Sequence, residues 1–215
     1  MIKKAVLFDL DGTLLDTTDG VLESALYAAR TMGYAPLPYE TMLHFVGPPI
    51  QDSFRRYYGA DESEAQKAAS IFRNYYKENA LFKARPYDGL SNALERLKGI
   101  EVAIGVATYK REDYALSILE HFGIASYCRT MHGADNFNQL TKADIVNLCI
   151  SELGVPKEFV VLIGDTEHDA LGATRAGVDF IGVTFGFGFK TSADVDKYPN
   201  IGCADSLEHV VEFVK

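Results

Sequence analysis

Five short apolar runs recur along the chain: residues 3–9, 101–107 (EVAIGVA), 127–131 (YCRTM), 158–163 (EFVVLI) and 179–184 (DFIGVT). A strand with one wet face alternates apolar and polar residues; these runs barely alternate, so both of their faces must be covered. Helical periods separate the later runs. Ala115, Leu116, Leu119 and Phe122 share one face ahead of Gly123, and Ile145, Val146, Cys149 and Leu153 share another. Thr141 and Asp144 have the spacing of a capping box before the second of these helices. The stretch 168–176 is rich in small residues and ends at Gly177, and a last helix is expected over 206–214. Strands that alternate with helices in this way predict an α/β fold: a doubly wound, Rossmann-like core with a parallel sheet.

Residues 16–85 interrupt the alternation. Leu22, Ala25, Leu26 and Ala29 mark a helix that Gly33 closes. A second, around Phe54, Tyr57 and Tyr58, ends at Gly59; Asp61 and Glu64 then open a long third helix with Ala65, Ala68, Ala69, Phe72 and Tyr76 on one face. No strand signal occurs for some seventy residues. The expected organisation is therefore a core of residues 1–15 and 86–215, with an all-helical domain of residues 16–85 inserted after the first strand.

Charge and cysteine usage narrow the partners. The chain has 215 residues and a formal net charge of −9, which disfavours nucleic acid and anionic membrane surfaces but not a small anion in a site with its own field. Cys128, Cys149 and Cys203 are far apart and odd in number, without metal-ligand spacing. They read as reduced thiols of a cytoplasmic protein. The first apolar run is too short for a membrane span and is stopped by acids.

In an open parallel sheet, ligands bind beyond the carboxyl ends of the strands. The residues that follow the predicted strands are Asp9, Asp11, Gly12 and Thr13; then Thr108, Tyr109 and Lys110; then Lys142 at a helix start; then Gly164, Asp165 and Asp169. Crowded carboxylates repel one another and resist ionisation, and a divalent cation with hard oxygen ligands relieves this, which suits Mg²⁺. A lysine in the first turn of a helix opposes the helix dipole, and a bound phosphate offsets that cost. Asp9 and Asp11 are two apart in extended chain and point the same way. One carboxylate can attack phosphorus while the other handles protons. Gly12 permits close backbone approach to a phosphate.

"DLDGT", then Thr108, Lys142 and "GDTEHD", resembles the haloacid dehalogenase superfamily, and within it the phosphatases of the phosphoglycolate phosphatase type; the motifs run in the family's order from residue 9 to residue 169. The resemblance implies that the helical insertion is a cap domain and that Asp9 is nucleophile and Mg²⁺ ligand. It implies that Asp11 is the general acid and base, with its backbone carbonyl on the metal. Thr108, Lys142 and the Gly12 turn would hold phosphoryl oxygens, Asp165 would bind the metal, and Asp169 would support it directly or through water. The partner implied is a small phosphorylated metabolite. Many relatives have Asn where this chain has Tyr109, and Pro where it has Ala143; both departures bear on substrate, not on catalytic atoms.

Other readings stand beside these. Lys142 can be a solvated helix lysine, Thr108 and Thr166 plain caps, and His168 an exposed helix-start residue. Gly47 and Pro48 of "FVGPPI", Arg55, Tyr109 and Lys110 are candidate specificity residues, with Lys110 placed at the rim. "TFGFGFK", 184–190, reads as a turn beside the site, since it does not have a nucleotide loop's spacing. Within the family, a 5′-nucleotidase and a β-phosphoglucomutase-type phosphomutase share the motifs. Outside it, a phospho-accepting receiver module also combines acids, a hydroxyl and a lysine. The sequence carries no signal of oligomeric state.

Overall fold

A computed structural model describes residues 2–135 and 139–215. The chain divides into two compact units, unit 1 from Met1–Asp16 with Pro86–Lys215 and unit 2 from Thr17–Arg85. In chain order, β1 (Ala5–Phe8) opens unit 1. Unit 2 follows with α1 (Thr18–Thr31), α2 (Tyr39–Leu43), α3 (Ile50–Tyr58) and α4 (Glu62–Tyr75), and then a π-helical turn over Tyr76–Ala80. On return to unit 1 come α5 (Leu90–Gly99), β2 (Ala103–Arg111), α6 (Glu112–His121), β3 (Cys128–Ala134), α7 (Lys142–Leu153) and β4 (Val160–Gly164). The chain ends with α8 (Glu167–Ala176), β5 (Asp179–Val183), α9 (Ser192–Val195), β6 (Gly202–Ala204) and α10 (Leu207–Val214).

The six strands form one parallel sheet in the order β3-β2-β1-β4-β5-β6. Each residue of β1 is buried, because β1 lies at the centre with neighbours on both sides. Strand order runs outward from β1 through β2 and β3 in one direction and through β4, β5 and β6 in the other. The carboxyl end of β1 therefore borders the point where the winding reverses, the ordinary place for a ligand crevice in such sheets. The register sets Phe8 beside Val106 on one side and Ile163 on the other. Asp9 follows as the first residue past the strand, its N–H donated to the Ile163 carbonyl at 2.8 Å.

Ala5 and Leu7 of β1 and Val160 and Leu162 of β4 pack with Ile145, Val146 and Cys149 of α7 and Ala170 and Ala173 of α8. Thr141 caps α7 through a reciprocal bond pair with Asp144, as the spacing predicts. Gly154 and Gly177 end α7 and α8 in left-handed geometry. Unit 2 packs α1 on α4 through alanines, with Ala25, Ala28, Ala65, Ala68 and Ala69 buried. Around Phe45 and Phe54 it gathers Tyr34, Tyr57 and Tyr58 into one aromatic cluster.

Three features differ from the sequence reading. β2 does not stop at Ala107 but runs to Arg111, and its pairing with β3 slips between Ala107 and Arg111. Thr108, Tyr109 and Lys110 thus lie within the irregular end of a strand and not after it; such a bulge re-aims side chains at a sheet rim. β6 is too short and too poor in apolar residues to give a periodic signal. α5 falls in a stretch that the sequence reading leaves without an element, although Leu90, Ala93, Leu94 and Leu97 bury one helical face there. Among the described residues, no helix is long and apolar enough to cross a membrane.

Candidate active site

The ends of β1 and β4 bring Asp9, Asp165 and Asp169 together, with one carboxylate oxygen of each within 4.8 Å of the others. All three are buried. α7 adds a cation from the side: Lys142, 2% exposed, places Nζ 2.6 Å from Asp9 Oδ1 and 2.6 Å from Asp169 Oδ1. Lys142 is the first residue of α7, where a cation opposes the helix dipole, so these two carboxylates are what hold it there. It is not a solvated helix lysine. Gly172 of α8 makes room for it, since a Cβ at that position would lie 2.5 Å from Lys142 Cγ. The small-residue signal of 168–176 was the only trace of that role in the sequence.

Asp169 does two jobs. Its Oδ2 accepts the Thr166 N–H at 3.0 Å and the Thr166 hydroxyl at 2.6 Å, which closes the start of α8, while Oδ1 faces Lys142. Thr166 is thus a helix cap, as one reading allowed, and the same cap fixes the carboxylate that anchors the lysine. Asp165 stands on the loop side: its Oδ2 accepts N–H bonds from Phe187 at 2.7 Å and Gly188 at 3.0 Å, and its Oδ1 lies 3.5 Å from the Thr13 hydroxyl.

Asp11 faces a second lysine. Lys110 Nζ reaches both of its oxygens, at 3.0 and 2.9 Å, and the lysine side chain is only 8% exposed. The rim position expected for Lys110 is therefore corrected: the strand irregularity after Ala107 turns it onto Asp11, a pairing across 99 positions that no local pattern announces. Thr108 is buried and its hydroxyl accepts the Lys110 N–H at 3.1 Å. Tyr109 is exposed, accepts the Lys142 N–H through its hydroxyl at 2.8 Å, and meets the His168 ring edge-to-face at 5.8 Å.

Gly12 has φ +83° and donates its N–H to the Leu15 carbonyl at 2.9 Å. Its own amide is committed within the turn. What the missing side chain provides is room for Asp165, whose carboxylate a Cβ there would strike. Gly47, Pro48 and Arg55 belong to unit 2. Gly47 has φ +103° in the turn before α3, and Arg55 is paired with Asp52 and Glu62 within that unit.

The electrostatics follow from burial. Loss of water pushes Asp9 up to about 6 against the opposing pull of Lys142, and pushes Asp165 up to about 7, with the Asp169 and Asp9 charges adding to the rise. Burial alone would lower Lys142, but Asp169 and Asp9 outweigh it and raise its pKa, so it stays charged. The site holds more buried negative charge than its lysines neutralise, and its donors are hard oxygens, which fits Mg²⁺. Burial pushes the Cys128 thiol up to about 12 and the Cys149 thiol up to about 11.

A family model described as haloacid dehalogenase-like hydrolase matches residues 6–183. A 5′-nucleotidase of Pseudomonas aeruginosa is 34% identical over 210 residues, 96% of this chain and 95% of its own length. A phosphoglycolate phosphatase of Agrobacterium fabrum is 30% identical over 188 residues, 84% of this chain and 80% of its own. The crystal structure of a predicted phosphatase from Clostridium acetobutylicum superposes with a TM-score of 0.89 at 32% identity, covering 99% of this chain and 98% of that one.

Proposed function

The chain belongs to the haloacid dehalogenase-like hydrolase family and is a phosphoric monoester hydrolase, and from that premise we propose that it is a Mg²⁺-dependent phosphatase of small phosphomonoesters that works through an aspartyl-phosphate on Asp9. The observation that carries the reading is the pairing of each acid of the first motif with its own lysine: Asp9 with the dry Lys142, Asp11 with Lys110.

In this mechanism Lys142 holds Asp9 Oδ1, so Oδ2 is the oxygen left to attack. It forms a bond to phosphorus in line as the bond to the leaving oxygen breaks, and Asp11, turned from Lys110 and protonated once the substrate is bound, gives that oxygen its proton. The alcohol departs and the phosphoryl group stays on Asp9. Asp11, now ionised, takes a proton from a water molecule whose oxygen attacks phosphorus; the bond to Asp9 breaks, and inorganic phosphate leaves with Asp9 restored. Thr108 and Lys142 face the phosphoryl oxygens throughout, and Lys142 stays cationic as charge develops. Asp9, Asp165 and the Asp11 backbone carbonyl would hold Mg²⁺, with Asp169 in support; when bound, the ion supplies charge neutralisation at the transferring group. Gly47, Pro48 and Arg55 of unit 2 and Tyr109 and Lys110 of unit 1 are the candidate specificity residues.

For the substrate, phosphoglycolate is the first candidate, and the family relationship and the phosphoglycolate phosphatase relative support it. A nucleoside 5′-monophosphate is the second, supported by a 5′-nucleotidase relative that matches nearly the whole chain. Phosphate release from a panel of both classes and of sugar phosphates, with Mg²⁺ and with EDTA, tests the proposal. Release that needs Mg²⁺ and favours one class assigns the substrate. No release from any member overturns the reading, and transfer of phosphate between sugar hydroxyls without release assigns a mutase instead.

A further inference from the structure

The glycine-rich loop 184–190 is built around one residue. Besides the two N–H bonds to Asp165 Oδ2, the Phe189 N–H donates to the Asp165 carbonyl at 2.7 Å. Gly186 and Gly188 come so close that a Cβ on either would strike Asp165: from Gly186 its carboxylate and Cβ, from Gly188 its carbonyl. Lys190 Nζ braces the loop by donating to the Gly186 carbonyl at 2.6 Å. Phe189 is buried against Phe180 and Tyr198 and anchors the loop to the core.

A carboxylate oxygen that accepts two N–H bonds has no lone pair left in its plane for a cation. Asp165 can therefore ligate only through Oδ1. Asp169 is restricted in the same sense at Oδ2, which accepts two donors, whereas Asp9 accepts one donor on Oδ1. Lys142 holds Oδ1 of Asp9, and Thr166 holds Oδ2 of Asp169 while Lys142 takes its Oδ1. Asp165 and Asp169 thus each have one oxygen closed to a cation, and in Asp165 it is the loop that closes it. Ca²⁺ takes six to eight oxygens and commonly binds carboxylates through both, whereas Mg²⁺ takes six in an octahedron, one per carboxylate.

Resting on the reading that this site takes a divalent cation, we propose that the 184–190 loop is a specificity element for that cation: by occupying one oxygen of Asp165 it enforces single-oxygen ligation and discriminates against Ca²⁺ in favour of Mg²⁺. Phe187 and Gly188 act through Asp165 and are positioning residues. Gly186 and Gly188 are required because the backbone must reach the carboxylate.

Calorimetric titration of the metal-free full chain with Mg²⁺ alone and with Ca²⁺ alone tests this without reference to activity. The wild-type chain is expected to bind Mg²⁺ more tightly than Ca²⁺. Gly188→Ala moves the loop off Asp165 and is expected to shift the Ca²⁺-to-Mg²⁺ affinity ratio toward Ca²⁺ by about tenfold, and Lys190→Met by about threefold, as single-oxygen ligation relaxes. Circular dichroism melts accompany each titration, and if Gly188→Ala does not fold, Lys190→Met decides. An unchanged ratio in a folded variant overturns the proposal, as does a wild-type chain that prefers Ca²⁺ or binds neither ion. Selective Mg²⁺ binding without phosphate release from any phosphomonoester would instead overturn the phosphatase reading and leave this one standing.

Discussion

The sheet carries a buried lysine at each end, and the two are not alike. At the amino end, Lys3 donates to the Glu158 carbonyl at 3.0 Å and pairs with Asp179, whose side chain is 44% exposed. At the carboxyl end, Lys142 is equally buried, but both of its partners are buried too, and Asp165 adds a further acid beside them. The amino-end pair is nearly neutral and leans on solvent. The carboxyl-end group is dry and over-supplied with negative charge. Burial of a lysine thus says little by itself; an unbalanced, dry set of charges is costly to fold, and it is the end of the sheet that carries one for which we propose the chemistry.

The comparison can be broken most forcefully at Asp9. Asp9→Asn should lower phosphate release by about 10⁴-fold or more, with an unchanged circular dichroism spectrum and deamidation excluded by mass spectrometry. Full activity in that variant would remove the nucleophile from the carboxyl end. Lys142→Met should cost about 10²–10³-fold in kcat, since it takes away a preorganised donor for developing charge. Lys3→Met should do the reverse. Activity per folded molecule stays at the wild-type level, while stability falls by about 1–2 kcal/mol in urea unfolding, because the Glu158 carbonyl loses its donor; the loss is no larger because half-exposed Asp179 regains water. If Lys3→Met were the variant that lost turnover, the two ends would have been assigned the wrong way round.

The smallest expected effect is one of pH. Folding of the metal-free chain raises Asp9 to about 6 and Asp165 to about 7, so the folded state binds more protons than the unfolded one. The stability that this gives is complete below the ordinary carboxylate range near pH 4 and is lost as pH climbs through about 6 and then about 7. Asp165→Asn cannot take part in the loss at its position. Melting temperatures in EDTA should therefore show the variant gaining on the wild type as pH rises from about 5 to about 7.5, with Mg²⁺ closing the gap. A constant difference across that window would mean that Asp165 is already ionised in the empty site.

How far these features were legible in the sequence depends on whether their causes are local. β1 reads clearly because a central parallel strand must be apolar on both faces, and the cap of α7 reads clearly because Thr141 and Asp144 meet within one helical turn. The doubly wound order follows from the alternation. Lys110 on Asp11 does not read at all, and loop 184–190 reads only as a turn beside the site without its hold on Asp165, because each joins residues far apart through an irregular backbone; the polarity of Thr108, Tyr109 and Lys110 disguised the true length of β2. Gly172 was visible only as one more small residue.

The central position of β1 has a cost during synthesis. Its two sheet neighbours begin at Ala103 and Val160, so the strand leaves the ribosome with nothing to pair with until about a hundred further residues have been made. At ordinary translation rates that interval is on the order of 5–20 s, during which all of unit 2 is completed. For that time a strand apolar at every position is an open edge, the kind of segment that nascent-chain chaperones cover and that misassembles when they do not. The fold that puts Asp9 at the heart of the sheet thus makes its strand wait for two neighbours that are both made much later.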